Sequence, residues 1–324
     1  MAAPAPAPAP DPAPDPAPLA PWLAVHLDRH LVARTPVGGG CIHRAWRLTF
    51  ADGGHLFAKS GPRAALPLLE AEADGLRALA AAADPQRLLV PAPLALGEVE
   101  GQAVLVLPWL VLGSAGGEAG QGDRWRALGA ALAALHRRSL AGPLVAGDRG
   151  ASAFGWGRDN HIGATPQANG WLEDWGRFFV ERRLAPQIDR LTRREGALPG
   201  ADTLLERVPQ WLARHRPDPC LVHGDLWSGN AGLAPDGRGA LFDPSVHRAD
   251  REVDLAMARL FGGFPESFFQ AYETAWPLPS GHHQRRDLYN LYHRLNHANL
   301  FGGSYGPQAR NSIAQLLKSD GRGG

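Results

Sequence analysis

Hydrophobic and polar positions follow distinct regimes along the 324 residues. Residues 4–18 place proline at every even position against Ala or Asp, the pattern of an extended polyproline II segment that cannot build a core. Residues 1–20 are therefore expected to be a disordered leader. From Val32 the pattern becomes β-prone, with short runs at 32–37, 45–50 and 55–60 separated by Gly38-Gly39-Gly40 and by the turn Asp52-Gly53-Gly54; this predicts a three-stranded meander. Residues 66–83 carry Ala and Leu at helical spacing, stopped by Asp84-Pro85, and a strand pair follows at 94–98 and 103–107 with Gly101 in its turn. Residues 113–122 read as a flexible break. Beyond it the periodicity predicts helices at 124–138, 171–194, 203–215, 252–261, 266–276 and 285–301, interrupted by a β-rich island at 220–242. The pattern thus predicts an α+β chain of two lobes, a small β-rich N-terminal lobe (21–112) and a larger, mainly helical C-terminal lobe (113–324).

Composition narrows the function classes. With 44% hydrophobic and 20% charged residues, the chain can bury more than one large core. Its net charge of +1 and the lack of any like-charge block give no footprint for nucleic acid or an anionic membrane. Cys41 and Cys220 are too few for a disulfide framework and point to a reducing compartment. No apolar run reaches membrane-span length and no signal-peptide pattern opens the chain, so a cytoplasmic protein is expected. Among 33 basic residues, lysine stands only at positions 59 and 318. Lys318 falls in what reads as a polar C-terminal tail, so Lys59 is the lysine that calls for a chemical reason.

The densest chemical signal is His223-Gly224-Asp225-Leu226-Trp227-Ser228-Gly229-Asn230 after the apolar Cys220-Leu221-Val222. It fits the H-x-D-x-x-x-x-N loop of phosphoryl transfer, in which the Asp takes the proton of an acceptor hydroxyl and the Asn binds magnesium. Leu241-Phe242-Asp243-Pro244 supplies a second carboxylate after an apolar strand, placed to chelate magnesium between nucleotide phosphates. The N-terminal lobe offers the other half of an ATP site. Gly39, Gly40 and Cys41 stand in a glycine-rich turn whose backbone N–H groups can approach phosphate oxygens, although no Walker-type Gly-Lys-Ser/Thr follows. Lys59, on the third strand, suits the α- and β-phosphates. Glu72 on the next helix is its expected ion-pair partner, with Glu70 an equally polar competitor. Pro108, Trp109 and Leu110 end the last small-lobe strand, where backbone groups can meet adenine. Asp254 is expected to reach back to the loop at 223–230 or simply to favour its helix N-terminus.

These residues together resemble the fructosamine kinase family, also called ketoamine kinases, which shares a two-lobed, protein-kinase-like fold with aminoglycoside phosphotransferases and choline kinases. The resemblance runs from about Thr35 to Leu317 and includes Phe154-Gly155, the Thr165-Pro166-Gln167 run, residues 175–187, 250–257 and 288–302. Leu226-Trp227-Ser228-Gly229 is its most discriminating part. The resemblance implies an ATP- and Mg2+-dependent transfer of the γ-phosphate to the sugar 3-hydroxyl of a fructosamine or ribulosamine, free or protein-bound, which promotes deglycation. It also implies that Trp227 faces the sugar and that His297 lies near the substrate, against the alternatives of a packing tryptophan among 10 and a satisfied helical histidine. Cys41 matches a cysteine associated with redox-sensitive dimers, so a monomer or a redox-sensitive homodimer is expected. A small residue tolerated in a tight turn is the other explanation.

Departures occur at Pro108-Trp109, where many relatives carry an acidic residue, and at Val246-His247-Arg248, where they often carry Ala and aromatics. Two other functions compete. Another small-molecule kinase of the aminoglycoside or choline kinase type would share His223, Asp225 and Asn230, but an antibiotic kinase would present more carboxylates than the last helix offers. A dead nucleotide-binding scaffold would have lost at least one of Lys59, Asp225, Asn230 and Asp243.

Overall fold

The computed structural model of the chain describes residues 19–38, 43–113 and 121–320. In chain order, helix α1 (Leu19–Leu27) precedes strands β1 (Leu31–Val37), β2 (Arg44–Phe50) and β3 (His55–Pro62), helix α2 (Leu66–Ala82), and strands β4 (Leu88–Leu89), β5 (Ala95–Val99) and β6 (Gln102–Pro108). There follow α3 (Gln121–Arg138), the hairpin β7 (Asn160–Ile162) and β8 (Thr165–Gln167), and α4 (Trp175–Phe179), which continues through a π-helical turn (Val180–Leu184) into α5 (Ala185–Glu195). The remainder is α6 (Ala201–Leu212), β9 (Cys220–Val222), β10 (Ala231–Leu233), β11 (Gly239–Leu241), β12 (His247–Ala249), α7 (Glu252–Leu260), α8 (Glu266–Ala275), α9 (His282–Phe301) and α10 (Tyr305–Asp320). The chain divides into two compact units, residues 1–66 with 94–109, and residues 67–93 with 110–324.

The first unit is an antiparallel sheet of order β1-β2-β3-β6-β5. Side chains alternate across a strand, so Trp46, Leu48 and Phe50 of β2 share one face with Leu56 and Ala58 of β3 and Val104 and Val106 of β6. Leu19 and Leu23 of α1 pack on this cluster; burying Leu23 completely contributes about 2 kcal/mol. The sequence pattern predicts the meander and the strand pair but not α1. Its Pro21 sits in the first helical turn, where no backbone donor is needed.

The second unit has two cores. Helix α2, predicted within the N-terminal lobe, clusters here: its Ala78, Leu79 and Ala82 join Leu128, Leu132 and Leu135 of α3 and Phe268 of α8. The other core gathers Trp175, Phe178, Leu191, Leu204, Leu291 and Leu295 from the remaining long helices. The expected helix at 171–194 begins at Trp175, where the Asp174 side chain accepts the Arg177 N–H at 2.7 Å and caps it. The expected polar tail around Lys318 is instead the last turn of α10. Gly302, Gly303 and Pro307 disguise this helix as a loop, although Pro307 stands in its tolerant first turns.

Between the helices lies the predicted β island. It consists of a three-stranded sheet of order β10-β11-β4 and the pair β12-β9. One loop, 223–230, leaves β9 and enters β10, and a second, 242–246, leaves β11 and enters β12. The connectivity therefore lays the two loops beside each other.

Candidate active site

Backbone hydrogen bonds join the two loops at both ends. Phe242 donates its N–H to the Asn230 carbonyl (3.1 Å), and Ser245 donates its N–H to the His223 carbonyl (2.8 Å). Asp225 and Asp243 stand between these ties. The Asn230 side chain bridges them, its Nδ2 lying 2.9 Å from the Asp225 carbonyl, 3.1 Å from Asp225 Oδ2 and 3.3 Å from the Asp243 carbonyl. Asp243 is in the left-handed region at φ +55. Non-glycine residues persist there only when their surroundings hold them, and such strain gathers at functional sites.

His223 is buried, and burial pushes its pKa below the ordinary histidine value against the opposing charge of Asp254. Its partners fix the tautomer: Nε2–H donates to the Phe242 carbonyl (2.9 Å), while Nδ1 accepts the Asp225 N–H (3.3 Å). The imidazole is thus a neutral brace between the loops. Asp225 is half-buried. Burial pushes its carboxyl up to about 7, helped by the negative charges of Asp243 and Asp254 and opposed by the Asn230 hydrogen bond.

Asp254, in the first turn of α7, reaches back as expected. Its Oδ2 accepts the His223 N–H (2.7 Å) and its Oδ1 the Gly224 N–H (2.8 Å), with His136 Nε2 at 3.2 Å from Oδ2. Burial raises this carboxyl, but the His136 hydrogen bond and the positive end of these partners hold it below its ordinary value, so it stays ionised. The turn before α7 is pinned separately. Asp250 Oδ2 lies 2.7 Å from His215 Nε2 and accepts the Tyr289 hydroxyl at 2.6 Å, while Glu252 takes a two-pronged bond from Arg285. These groups are spent on one another and support α7.

Trp227 is exposed (40%), and its ring lies against Gly229, where an added Cβ would come within 2.3 Å of it. His297 is half-buried on α9; its Nδ1 lies 2.8 Å from the His293 carbonyl, and its ring is surrounded by Phe261 (4.6 Å), Tyr305 (5.3 Å) and Phe301 (5.5 Å). The α7–α8 turn that carries Phe261 also touches the loop, since a Cβ on Gly263 would lie 2.4 Å from Ser228. In the first unit, Lys59 is buried on β3, paired in the sheet with Ala45 and Leu105. Pro108 pairs with Leu56 at the end of β6, Trp109 lies beside Phe57 and Arg47, and the division between the units falls between Trp109 and Leu110. Glu72 is half-buried on α2, and Glu70 lies 3.5 Å from Arg158. Gly39, Gly40 and Cys41 lie outside the described residues.

The family model described as "Fructosamine kinase" matches residues 21–319. The chain belongs to the fructosamine kinase family. It is 43% identical over 285 residues to a probable ketoamine kinase of Synechocystis, covering 88% of this chain and 90% of that protein. It is 38% identical over 291 residues to a probable ketoamine kinase of Vibrio cholerae, covering 90% and 94%. A crystal structure from Haemophilus somnus, provisionally named a fructosamine-3-kinase, superposes with a TM-score of 0.81 at 25% identity, covering 93% of this chain and 97% of that one. The choline kinase of Streptococcus pneumoniae shares the fold alone, with a TM-score of 0.56 at 15% identity over 93% and 98% of the chains. The predicted α+β, protein-kinase-like class therefore holds. Among the described residues, no helix is long and apolar enough to cross a membrane.

For this fructosamine kinase family member, the sequence did not disclose the residues behind the loops. Arg248 is fully buried and spends all five guanidinium N–H groups: on both Asp148 oxygens (2.6 and 2.7 Å) and on the carbonyls of Ser139, Pro219 and Gly142. Arg248 stands among other polar residues, between His247 and Asp250, so its burial had no local signal. Nothing in the sequence indicated Asp148 as its partner.

Proposed function

We propose that the protein is an ATP-dependent ketoamine kinase, which transfers the γ-phosphate of ATP to the sugar 3-hydroxyl of a fructosamine or ribulosamine and so promotes deglycation. The observation that carries this is the bridging of Asp225 and the Asp243 arm by the one side chain of Asn230. Membership of the fructosamine kinase family and relatives named as ketoamine kinases support the acceptor class.

The donor set fits magnesium. Asn230 turns its Nδ2 to Asp225 and the Asp243 backbone, which directs its Oδ1 to the opposite side; with the Asp243 carboxylate this provides hard oxygen ligands. Asn230 and Asp243 would hold the ion, and when bound it offsets negative charge on the phosphates. Asp225 orients the acceptor hydroxyl and takes its proton as the new sugar O–P bond forms and the bond from the γ-phosphorus to ADP breaks. Asp254 and His223 keep the loop fixed during this exchange. Trp227 presents its exposed ring to the sugar, and His297 lines the acceptor side. Lys59 is assigned the α- and β-phosphates and Glu72 the supporting carboxylate, since Glu70 is turned to Arg158. Gly39, Gly40 and Cys41 are assigned to phosphate binding, and Pro108, Trp109 and Leu110 to adenine. Cys41 oxidation is proposed to lower activity, and an unchanged oxidant response in Cys41→Ser would refute it.

The test is ADP release from ATP and magnesium with ribulosyl-lysine, fructosyl-lysine, choline and an aminoglycoside. Turnover with a ketoamine is expected. Turnover with choline or the aminoglycoside alone, or with none of the four by folded protein, overturns the proposal.

A further inference from the structure

The Thr165-Pro166-Gln167 run takes no part in the chemistry above, yet it ends inside the site. Gln167 is buried on β8. Its Nε2 donates to Asn160 Oδ1 (2.7 Å) and lies 3.4 Å from the Ser245 carbonyl, while its Oε1 accepts the Tyr292 hydroxyl of α9 (2.6 Å). Asn160, across the hairpin, donates Nδ2 to the Val246 carbonyl (2.8 Å). Ser245 donates its hydroxyl to the His161 carbonyl and its N–H to the His223 carbonyl. One short hairpin therefore grips two successive peptides that begin two residues after Asp243, and the same segment is bonded to the start of the loop carrying Asp225.

The Asp243 backbone lies in the left-handed region, which a non-glycine residue keeps only where its surroundings fix it, and a metal ligand binds well only when its orientation is fixed. We propose that Gln167 is a positioning residue: through the Ser245 peptide it sets the Asp243 carboxylate where the metal–nucleotide complex is bound, and through Tyr292 it ties that setting to α9. This rests on the kinase reading, in which Asp243 is a metal ligand. Groups that orient ligands from behind change metal affinity by about ten- to a hundredfold when removed, whereas a group that only fills the core changes stability alone.

The experiment is a Mn2+ titration followed by electron paramagnetic resonance, in the presence of a non-hydrolysable ATP analogue, alongside thermal unfolding and turnover. Gln167→Met keeps the side chain's length and removes its amide. It is expected to weaken Mn2+ binding about tenfold and lower kcat at least tenfold in the folded fraction. Leu204→Ala, a core deletion in α6, lowers Tm with Mn2+ affinity unchanged. Equal Mn2+ affinity in folded Gln167→Met and wild type overturns the inference, and so does a loss that Leu204→Ala reproduces in proportion to its Tm. If Gln167→Met does not fold, Tyr292→Phe decides, since it removes only the hydroxyl bonded to Gln167: at least a twofold weakening is expected, and an unchanged affinity refutes the coupling. Failure of wild type to bind Mn2+ with the nucleotide would instead refute the kinase reading itself.

Discussion

The carbonyl oxygen of Ser245 occupies the space that a side chain on Gly224 would need: a Cβ there would lie 2.1 Å from it. Gly224 also sits at φ +80, a conformation other residues rarely adopt. The glycine of the His-Gly-Asp run is therefore required by contact and by backbone together, because the opposing atom is backbone and cannot swing away. Gly224→Ala is expected to destabilise the protein by at least about 2 kcal/mol and to lower kcat in whatever remains folded. Urea unfolding and steady-state turnover check this, and a variant with wild-type values would show that the two loops are not held as described.

Asp225→Asn removes the proton acceptor while keeping the shape and the capacity to bond Asn230. General bases contribute roughly a hundred- to ten-thousandfold, so kcat is expected to fall within that range while nucleotide affinity stays within about twofold. Comparable turnover in the variant would take Asp225 out of its role.

What the sequence disclosed follows from how locally the chemistry is written. Asp225 and Asn230 stand five positions apart on one loop, and their spacing alone suggested both roles. Asp254 was anticipated because a first-turn carboxylate can point back along the chain. The support behind them was hidden by separation: Gln167 meets Ser245 across 78 positions, and Asp148 meets Arg248 across 100. The β7–β8 hairpin escaped because strands of three residues are too short for a periodicity to register. Helix α10 escaped because the glycines and proline at its start read as loop punctuation.

Trp227 can serve substrate or merely packing, and the two roles separate kinetically. Its ring is exposed and rests on Gly229, so deleting it opens no buried cavity. Trp227→Ala is expected to raise KM for the ketoamine about tenfold, equivalent to about 1.4 kcal/mol, with Tm little changed. Gly229→Ala, which displaces the ring without removing it, should raise KM in the same direction. A lowered Tm with an unchanged KM would identify Trp227 as a packing residue.

The Asp148–Arg248 pair provides a test of stability against pH. Burial pushes Asp148 upward, but Arg248 and the N–H groups of Leu144 and Gly150 outweigh it and hold the carboxyl below its ordinary value. A carboxyl depressed in the folded state contributes its full stabilisation above its unfolded value, about 3.9, and loses it as pH falls through the folded value. Arg248→Met leaves Asp148 buried without its partner, which destabilises by about 3–5 kcal/mol at neutral pH. The difference between wild type and Arg248→Met in urea midpoint should therefore be widest near pH 7 and narrow below about pH 4, as protonation removes the carboxylate that needed the partner. A difference that stays constant from pH 7 to pH 3 would mean that the pair acts by shape, through the carbonyls of Ser139, Gly142 and Pro219 that Arg248 gathers, with no part played by its charge.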